Sequence, residues 1–305
     1  MIQLLTEPAT TQDSPPGSGT PYHLLGRTGS HRWWRPWVEM VLLLVLAVVT
    51  SMLLFGAVIG LALVSDPVIG DDLRFADPLW DFGYGFAAIG ALLPLIALTV
   101  RWIGKRRPGS VSSVAGRLRW GWLLHCLGWA LLAIGLAIGA DLLRGADWDA
   151  AAWPGWPTFF AVLVLALALI PFQAAAEEYL CRGWLVQTIS SWTRTPWPGV
   201  VISSLVFTGL HDHTEPWVLG EMFLFAIALC WLTLRTGGLE AAIALHVVNN
   251  VVLMVLESTQ GMPDLNQAGG DYALWDVLPV AITTLLYTWW VDRQARRRGL
   301  ATTTR

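Results

Sequence analysis

Charge is what this chain has least of. Asp, Glu, Lys and Arg make up 13% of its 305 residues, against about 25% in a soluble domain. With 55% hydrophobic residues, that scarcity excludes an ordinary soluble fold and points to a polytopic membrane protein. The net charge is −3, so no overall basic balance suggests nucleic acid, and none is expected as a partner. Cysteine is also scarce. Cys126, Cys181 and Cys230 all fall within apolar runs, which reads as buried free thiols. They supply neither a disulfide framework nor a zinc site of Cys spacing. No internal repeat of fixed period is visible, which counts against a transporter built from duplicated halves. Residues 1–36 are polar and rich in Pro, Gly, Ser and Thr. The first apolar run begins late, is too long and lacks an A-x-A-like end, so no secretory signal is expected there.

What the chain does have is apolar runs. The first, from Trp37 to Val64, exceeds the roughly 20 residues a crossing needs. Further candidate spans cover 84–103, 120–140, 158–190, 198–211, 217–235, 238–256 and 274–292. The fold class expected is therefore all-α, a polytopic transmembrane helical bundle of about eight spans. Residues 1–36 are expected to form a disordered tail, residues 37–292 the membrane domain and residues 293–305 a basic tail. The run 198–211 is short for a full crossing. Tryptophans cluster where runs end, as at Trp33, Trp34, Trp37, Trp102, Trp120, Trp217, Trp275, Trp289 and Trp290, the aromatic belt of a headgroup layer. Eight spans put both termini on one side. The segments on that side hold Arg27, Arg32, Arg35, Lys105, Arg106, Arg107, Arg117, Arg119, Arg194, Arg235 and Arg296–Arg298. The opposite loops hold acids, among them Asp66, Asp71, Asp72, Asp141, Asp147, Asp212, Glu257, Asp264 and Asp271. The Arg and Lys asymmetry assigns both termini to the cytoplasm. High Trp, Arg, Ala and Leu usage suggests a bacterial source, hence a bacterial cytoplasmic membrane. Two G-x-x-x-G pairs, Gly56/Gly60 and Gly135/Gly139, read as ordinary packing within one bundle rather than dimer contacts.

Three polar clusters interrupt these runs. An ionisable side chain at the bilayer centre costs about 2.5–3.5 kcal/mol on insertion scales, so such residues mark function. In E177-E-Y-L-C-R182, Glu178 and Arg182 are i, i+4 and can pair on one helix face. Glu177 then points elsewhere, free to act as a general base. In F207-T-G-L-H211, the phenylalanine lies one turn before the histidine and can wall its pocket. Asp212 and His213 follow in a polar loop and look solvated. In H246-V-V-N-N250, His246 and Asn250 share a face and form a plausible donor pair for an oxyanion. At about 1.5 Å rise per residue, Glu178, His211, His246 and Asn250 lie roughly 18, 20, 12 and 18 Å deep. Three helices bringing polar groups to one level imply a water-accessible site.

These motifs, Glu-Glu-x-x-x-Arg, then Phe-x-x-x-His, then His-x-x-x-Asn on successive apolar segments, resemble those of the CAAX-protease and bacteriocin-processing (CPBP, or Abi) intramembrane protease family. The resemblance covers about residues 158–256. It implies hydrolysis of a peptide bond in a membrane-associated or lipidated substrate. Glu177 and His211 would activate a water, His246 and Asn250 would stabilise the oxyanion, and Glu178 and Arg182 would organise the site. The family has been described both as metalloproteases and as metal-free, glutamate-dependent proteases. Two His and a Glu can bind zinc, which makes Glu177, His211 and His246 the candidate ligands. The histidines stand on different helices with no H-E-x-x-H arrangement, and the expectation here is no metal. Two other readings stay open: a non-catalytic membrane protein that binds a peptide, such as an immunity factor, and a proton-coupled transporter in which the same acids and histidines relay protons.

Overall fold

The computed structural model describes residues 17–27, 31–65, 75, 77–145, 149–263 and 272–305. The tail residues 1–16 and 28–30 lie outside these, as do the loop acids Asp66, Asp71, Asp72, Asp147, Asp264 and Asp271. Among the described residues the chain is all-helical, with two isolated β-bridges. In order come a short 3₁₀ turn (Tyr22–Leu24), α1 (Arg35–Ser65), α2 (Pro78–Gly90), α3 (Leu92–Trp102), the single turn α4 (Gly109–Ser112) and α5 (Trp120–Leu143). Then follow α6 (Trp156–Glu178), a π-helical stretch (Tyr179–Leu185), α7 (Val186–Thr193), α8 (Trp197–Gly209), α9 (Pro216–Thr236), α10 (Glu240–Glu257) and α11 (Leu274–Arg297).

The local signals are simple. Pro stands in the first turn of α2, α6, α8 and α9, where its missing N–H costs nothing. The Asp77 carboxylate caps α2 by accepting from Leu79 N at 3.0 Å. Helix α9 stops at Gly237, which takes φ +68° and lies against the Ala301 carbonyl so closely that a Cβ would stand 2.7 Å from it. Only glycine serves both needs.

Helix α10 is the hub. It packs against α5, α6 and α9, and its first seven residues, Glu240–His246, are all buried. Helix α11 closes over α5 and α9, while α2 lies on α6. Helix α1 stands at the periphery with Leu44, Met52 and Leu53 exposed. It is tied in by its one buried acid, Glu39, whose Oε2 accepts from Trp184 Nε1 at 2.8 Å. Exposed Leu, Val and Trp on the outer faces are what hydrocarbon requires.

Seven helical stretches are long and apolar enough to cross a membrane: 35–61, 78–102, 120–143, 156–193, 216–236, 240–257 and 274–297. The eighth expected span, α8, has 13 residues, about 20 Å of helix against a hydrocarbon core of about 30 Å. The two ends of the chain meet. Gly19 N donates to Thr304 O at 2.9 Å and Thr304 N to Thr20 O at 3.0 Å.

That meeting corrects two expectations. Residues 17–27 do not belong to a disordered tail: Tyr22 and Leu25 are each 1% exposed within the main core cluster, and the Tyr22 hydroxyl donates to Val111 O at 2.5 Å. In the segment 293–305, expected as a basic tail, α11 runs on to Arg297 and Thr304 forms the other half of this clasp. A third concerns the G-x-x-x-G pairs. A Cβ added at Gly56, Gly60, Gly135 or Gly139 would meet nothing within 4 Å, so none of these glycines serves close packing inside the bundle.

Candidate active site

The longest rod, residues 156–193, carries the first cluster. Pro171 sits inside α6, where it withholds a backbone N–H from the helix ladder. The seven residues that follow Glu178, Tyr179–Leu185, are wound as π-helix, a geometry found mostly as short bulges, often at functional sites. Gly183 lies in that stretch, and a Cβ there would collide with Val111 Cγ1.

Glu178 and Arg182 form the expected pair, Arg182 Nη1 donating to Glu178 Oε1 at 3.0 Å with both side chains fully buried. The same Glu178 oxygen also receives His246 Nδ1 at 2.7 Å. The Arg182 guanidinium carbon stands 4.0 Å from the centre of the Phe207 ring, a cation–π contact out of water. Phe207 in turn lies 4.7 Å from the His211 ring and 5.7 Å from the His246 ring, and Phe225 of α9 stands 5.8 Å from His246. Phe207 thus walls the pocket of both histidines.

Glu177 does not point away from the pair's environment, as expected from helical spacing alone. It reaches the other side of the same imidazole: His246 Nε2 is 3.6 Å from Glu177 Oε2. Its second oxygen, Oε1, accepts from Gln173 Nε2 at 2.5 Å. Gln173 Oε1 accepts from Asn250 Nδ2 at 3.2 Å, and Asn250 Oδ1 accepts from Asn249 Nδ2 at 3.2 Å. Two polar strings therefore run between α6 and α10, Arg182–Glu178–His246 and Glu177–Gln173–Asn250, and they approach to 3.6 Å at His246 Nε2 and Glu177 Oε2. Glu177 Oε2 is buried with no hydrogen-bond partner among the described residues.

The two histidines are held in defined tautomers. His211 Nδ1 is 2.8 Å from the Phe207 carbonyl, which can only accept, so Nδ1 carries the proton and Nε2 is left as the acceptor of the neutral ring. His246 Nδ1 faces a carboxylate and is its donor, leaving Nε2 toward Glu177. Asp212 is exposed, as the polar-loop reading expects.

Two residues of this network escaped the sequence reading. Gln173 is the single polar residue between Thr158 and Glu177 and lies one turn before Glu177, a signal that was present. Phe225 had none, since one more aromatic in an apolar helix is ordinary core. Among the described residues no three His, Cys, Asp or Glu side chains gather closely enough to hold a metal, the candidate ligands Glu177, His211 and His246 included.

Residues 156–252 match the family model described as Type II CAAX prenyl endopeptidase Rce1-like. Over this stretch, about a third of its length, the chain is similar to that family. That segment contains every residue of the two polar strings, and the match supports a CAAX-type intramembrane protease. The chain is also similar to the uncharacterized protein YyaK of Bacillus subtilis (strain 168), with 23% identity over 278 residues, covering 85% of this chain and 91% of that protein. No solved structure matches. With seven helices long and apolar enough to cross a membrane among the described residues, three of them wholly or largely within the matched segment, the chain reads as an integral membrane protein.

Proposed function

We propose that the chain is a CPBP-type intramembrane endopeptidase that hydrolyses a peptide bond in a membrane-associated or lipidated substrate without a resident metal. The observation that carries this reading is the buried, unpartnered Glu177 Oε2, whose sister oxygen is fixed by Gln173. A carboxylate clamped on one side and unsatisfied on the other is a general base presented to a ligand.

The steps follow from the atoms. A water set between Glu177 Oε2 and His211 Nε2 loses its proton to the Glu177 carboxylate as its oxygen attacks the scissile carbonyl carbon. The carbonyl oxygen takes the negative charge. Asn250 Nδ2 has a second hydrogen beyond the one given to Gln173, and it is the oxyanion donor; the His246 ring, held through Nδ1 by Glu178, lines the same site. Collapse of the tetrahedral species breaks the C–N bond, and the proton held by Glu177 passes to the leaving amine. Glu178 and Arg182 touch no substrate here. They hold His246 in its tautomer and orientation. The arginine-rich face that carries both ends is the cytoplasmic one in this reading, and the membrane is a bacterial cytoplasmic membrane.

The test is cleavage of a labelled membrane-peptide library by the purified full-length protein. Wild type cleaves, with or without chelator. Glu177→Ala and His211→Ala accumulate normally and lose about 10²-fold or more, the size of a lost general base. Cleavage that chelation abolishes and zinc restores would overturn the metal-free mechanism. Equal cleavage by wild type and Glu177→Ala would overturn the assignment of the base.

A further inference from the structure

A cavity lies away from the Glu177 network, on the face where the chain ends meet. It has a volume of about 610 Å³, within the range of small-ligand sites. Its walls come from the α3–α5 connection and from residues that follow α11. Seven of its lining residues are Arg or Lys and none is acidic. Such a concentration of one sign is self-repelling unless an anion answers it.

The protein answers only part of it. Arg119 is neutralised by Glu240, with Nε to Oε1 at 2.8 Å and Nη2 to Oε2 at 2.6 Å. Arg106 is buried and donates to Gln187 Oε1 at 2.5 Å. Arg298 lies over the Trp122 ring and beside His125. Arg107 and Arg117 are exposed and have no side-chain partner among the described residues. The guanidiniums of Arg107 and Arg117 thus line a basic cavity with no counter-charge on them among the described residues.

The cavity continues into a second hollow of about 450 Å³, which shares Arg117, Arg119, Arg298 and Leu300 with it and is otherwise walled by Trp120, Gly121 and Trp122. Trp120 opens the membrane-crossing helix α5, so this hollow lies where hydrocarbon meets headgroups. A Cβ at Gly121 would meet nothing within 4 Å; the groove there is open.

We propose that this basic cavity and its tryptophan-walled extension form a binding site for an anionic phospholipid, its phosphate-bearing headgroup among Arg107, Arg117 and Arg298 and an acyl chain along Trp120 and Gly121. A free polyphosphate shares the headgroup chemistry, but it makes no use of an apolar groove continuous with the bilayer. Basic pockets beside membrane helices are the usual cradle for such headgroups.

The experiment uses the full-length protein in neutral detergent, with bound lipid counted by native mass spectrometry during titration with diphosphatidylglycerol or phosphatidylcholine. Diphosphatidylglycerol binds with one tight site and phosphatidylcholine does not. Arg107→Gln/Arg117→Gln weakens that site about 25-fold, roughly five-fold for each guanidinium. Arg293→Gln/Arg297→Gln removes the same charge outside the cavity and leaves the affinity unchanged. Gly121→Trp fills the groove and weakens the lipid while sparing inorganic pyrophosphate. Equal weakening by both double variants would overturn the site in favour of diffuse surface attraction. Pyrophosphate that displaces the lipid at equal concentration, with Gly121→Trp harmless, would overturn the lipid in favour of a soluble phosphate.

Discussion

His246 Nδ1 lies 2.7 Å from Glu178 Oε1, joining two helices at residues 68 apart in sequence. Because Arg182 shares that oxygen, the three side chains form one buried unit, and each contributes to the register of α6 against α10. Glu178 Oε2 and Arg182 Nε and Nη2 have no hydrogen-bond partner among the described residues, so the unit's charges are balanced mainly against each other.

Arg182→Met should therefore destabilise strongly. Removing one member of a buried ion pair strands the other, at a cost of about 3–5 kcal/mol. The double change Glu178→Gln/Arg182→Met should recover a good part of that loss, since neither charge is then stranded. Thermal unfolding in detergent of both single variants and the double variant closes the cycle. Additive losses would show that the pair is not coupled.

Gly183→Ala should destabilise through overpacking, because its Cβ would overlap Val111 Cγ1. The cost is about 1–3 kcal/mol. Val111→Ala in the same chain should relieve it. If the two changes add instead, the close approach of the π-helical stretch to α4 is wrong. The rescue also separates packing from helix propensity, which Ala should improve over Gly.

Most of the bundle is written in its apolar runs, because a span needs length and hydrophobicity and both are one-dimensional properties. Glu177, Glu178, Arg182, His211, His246 and Asn250 stood out for the same reason: a polar residue inside such a run is conspicuous. What was not legible depends on the third dimension. Residues 17–27 look like tail by composition, yet Tyr22 and Leu25 find a core made by Val111 and its neighbours. The turn that lets Glu177 and Glu178 straddle one imidazole depends on where α10 comes to lie, which i, i+4 arithmetic on α6 does not contain. Gly56 and Gly135 illustrate the opposite error, in which a spacing suggested contacts that the bundle does not make.

The clasp at the chain ends should loosen on acidification. Burial pushes the His23 imidazole below its ordinary value of 6.5. His31 moves the same way, through burial and the nearby Arg27. Below 6.5 the unfolded segment then binds more protons than the folded one, so stability rises with pH and is lost as pH falls from 6.5 through the folded values. Hydrogen exchange of residues 17–27, corrected for intrinsic rates, should show protection at pH 7.5 that declines toward pH 5.5. His23→Gln/His31→Gln should flatten the dependence. Protection that grows on acidification would reverse the sign and refute the assignment.

Gln173 offers the sharpest separation of positioning from packing. It donates to Glu177 Oε1 and accepts from Asn250 Nδ2, so it sets the base and one oxyanion donor at the same time, although it need not touch substrate itself. Gln173→Leu keeps the volume and leaves Glu177 Oε1 and an Asn250 hydrogen without a protein partner. A hydrogen bond to a charged group is worth about 1.5–3 kcal/mol, so kcat should fall about 10- to 100-fold. KM should stay nearly unchanged, because the loss falls on groups that act in the transition state. Gln173→Glu would place a second carboxylate against Glu177, and like charges at hydrogen-bonding distance hold a shared proton. The pH–rate profile of that variant should therefore shift upward relative to wild type, which a merely structural role would not produce. An unshifted profile with a simple loss of folded protein would place Gln173 in the packing of α6 against α10 and leave Glu177 to be positioned by the helix alone.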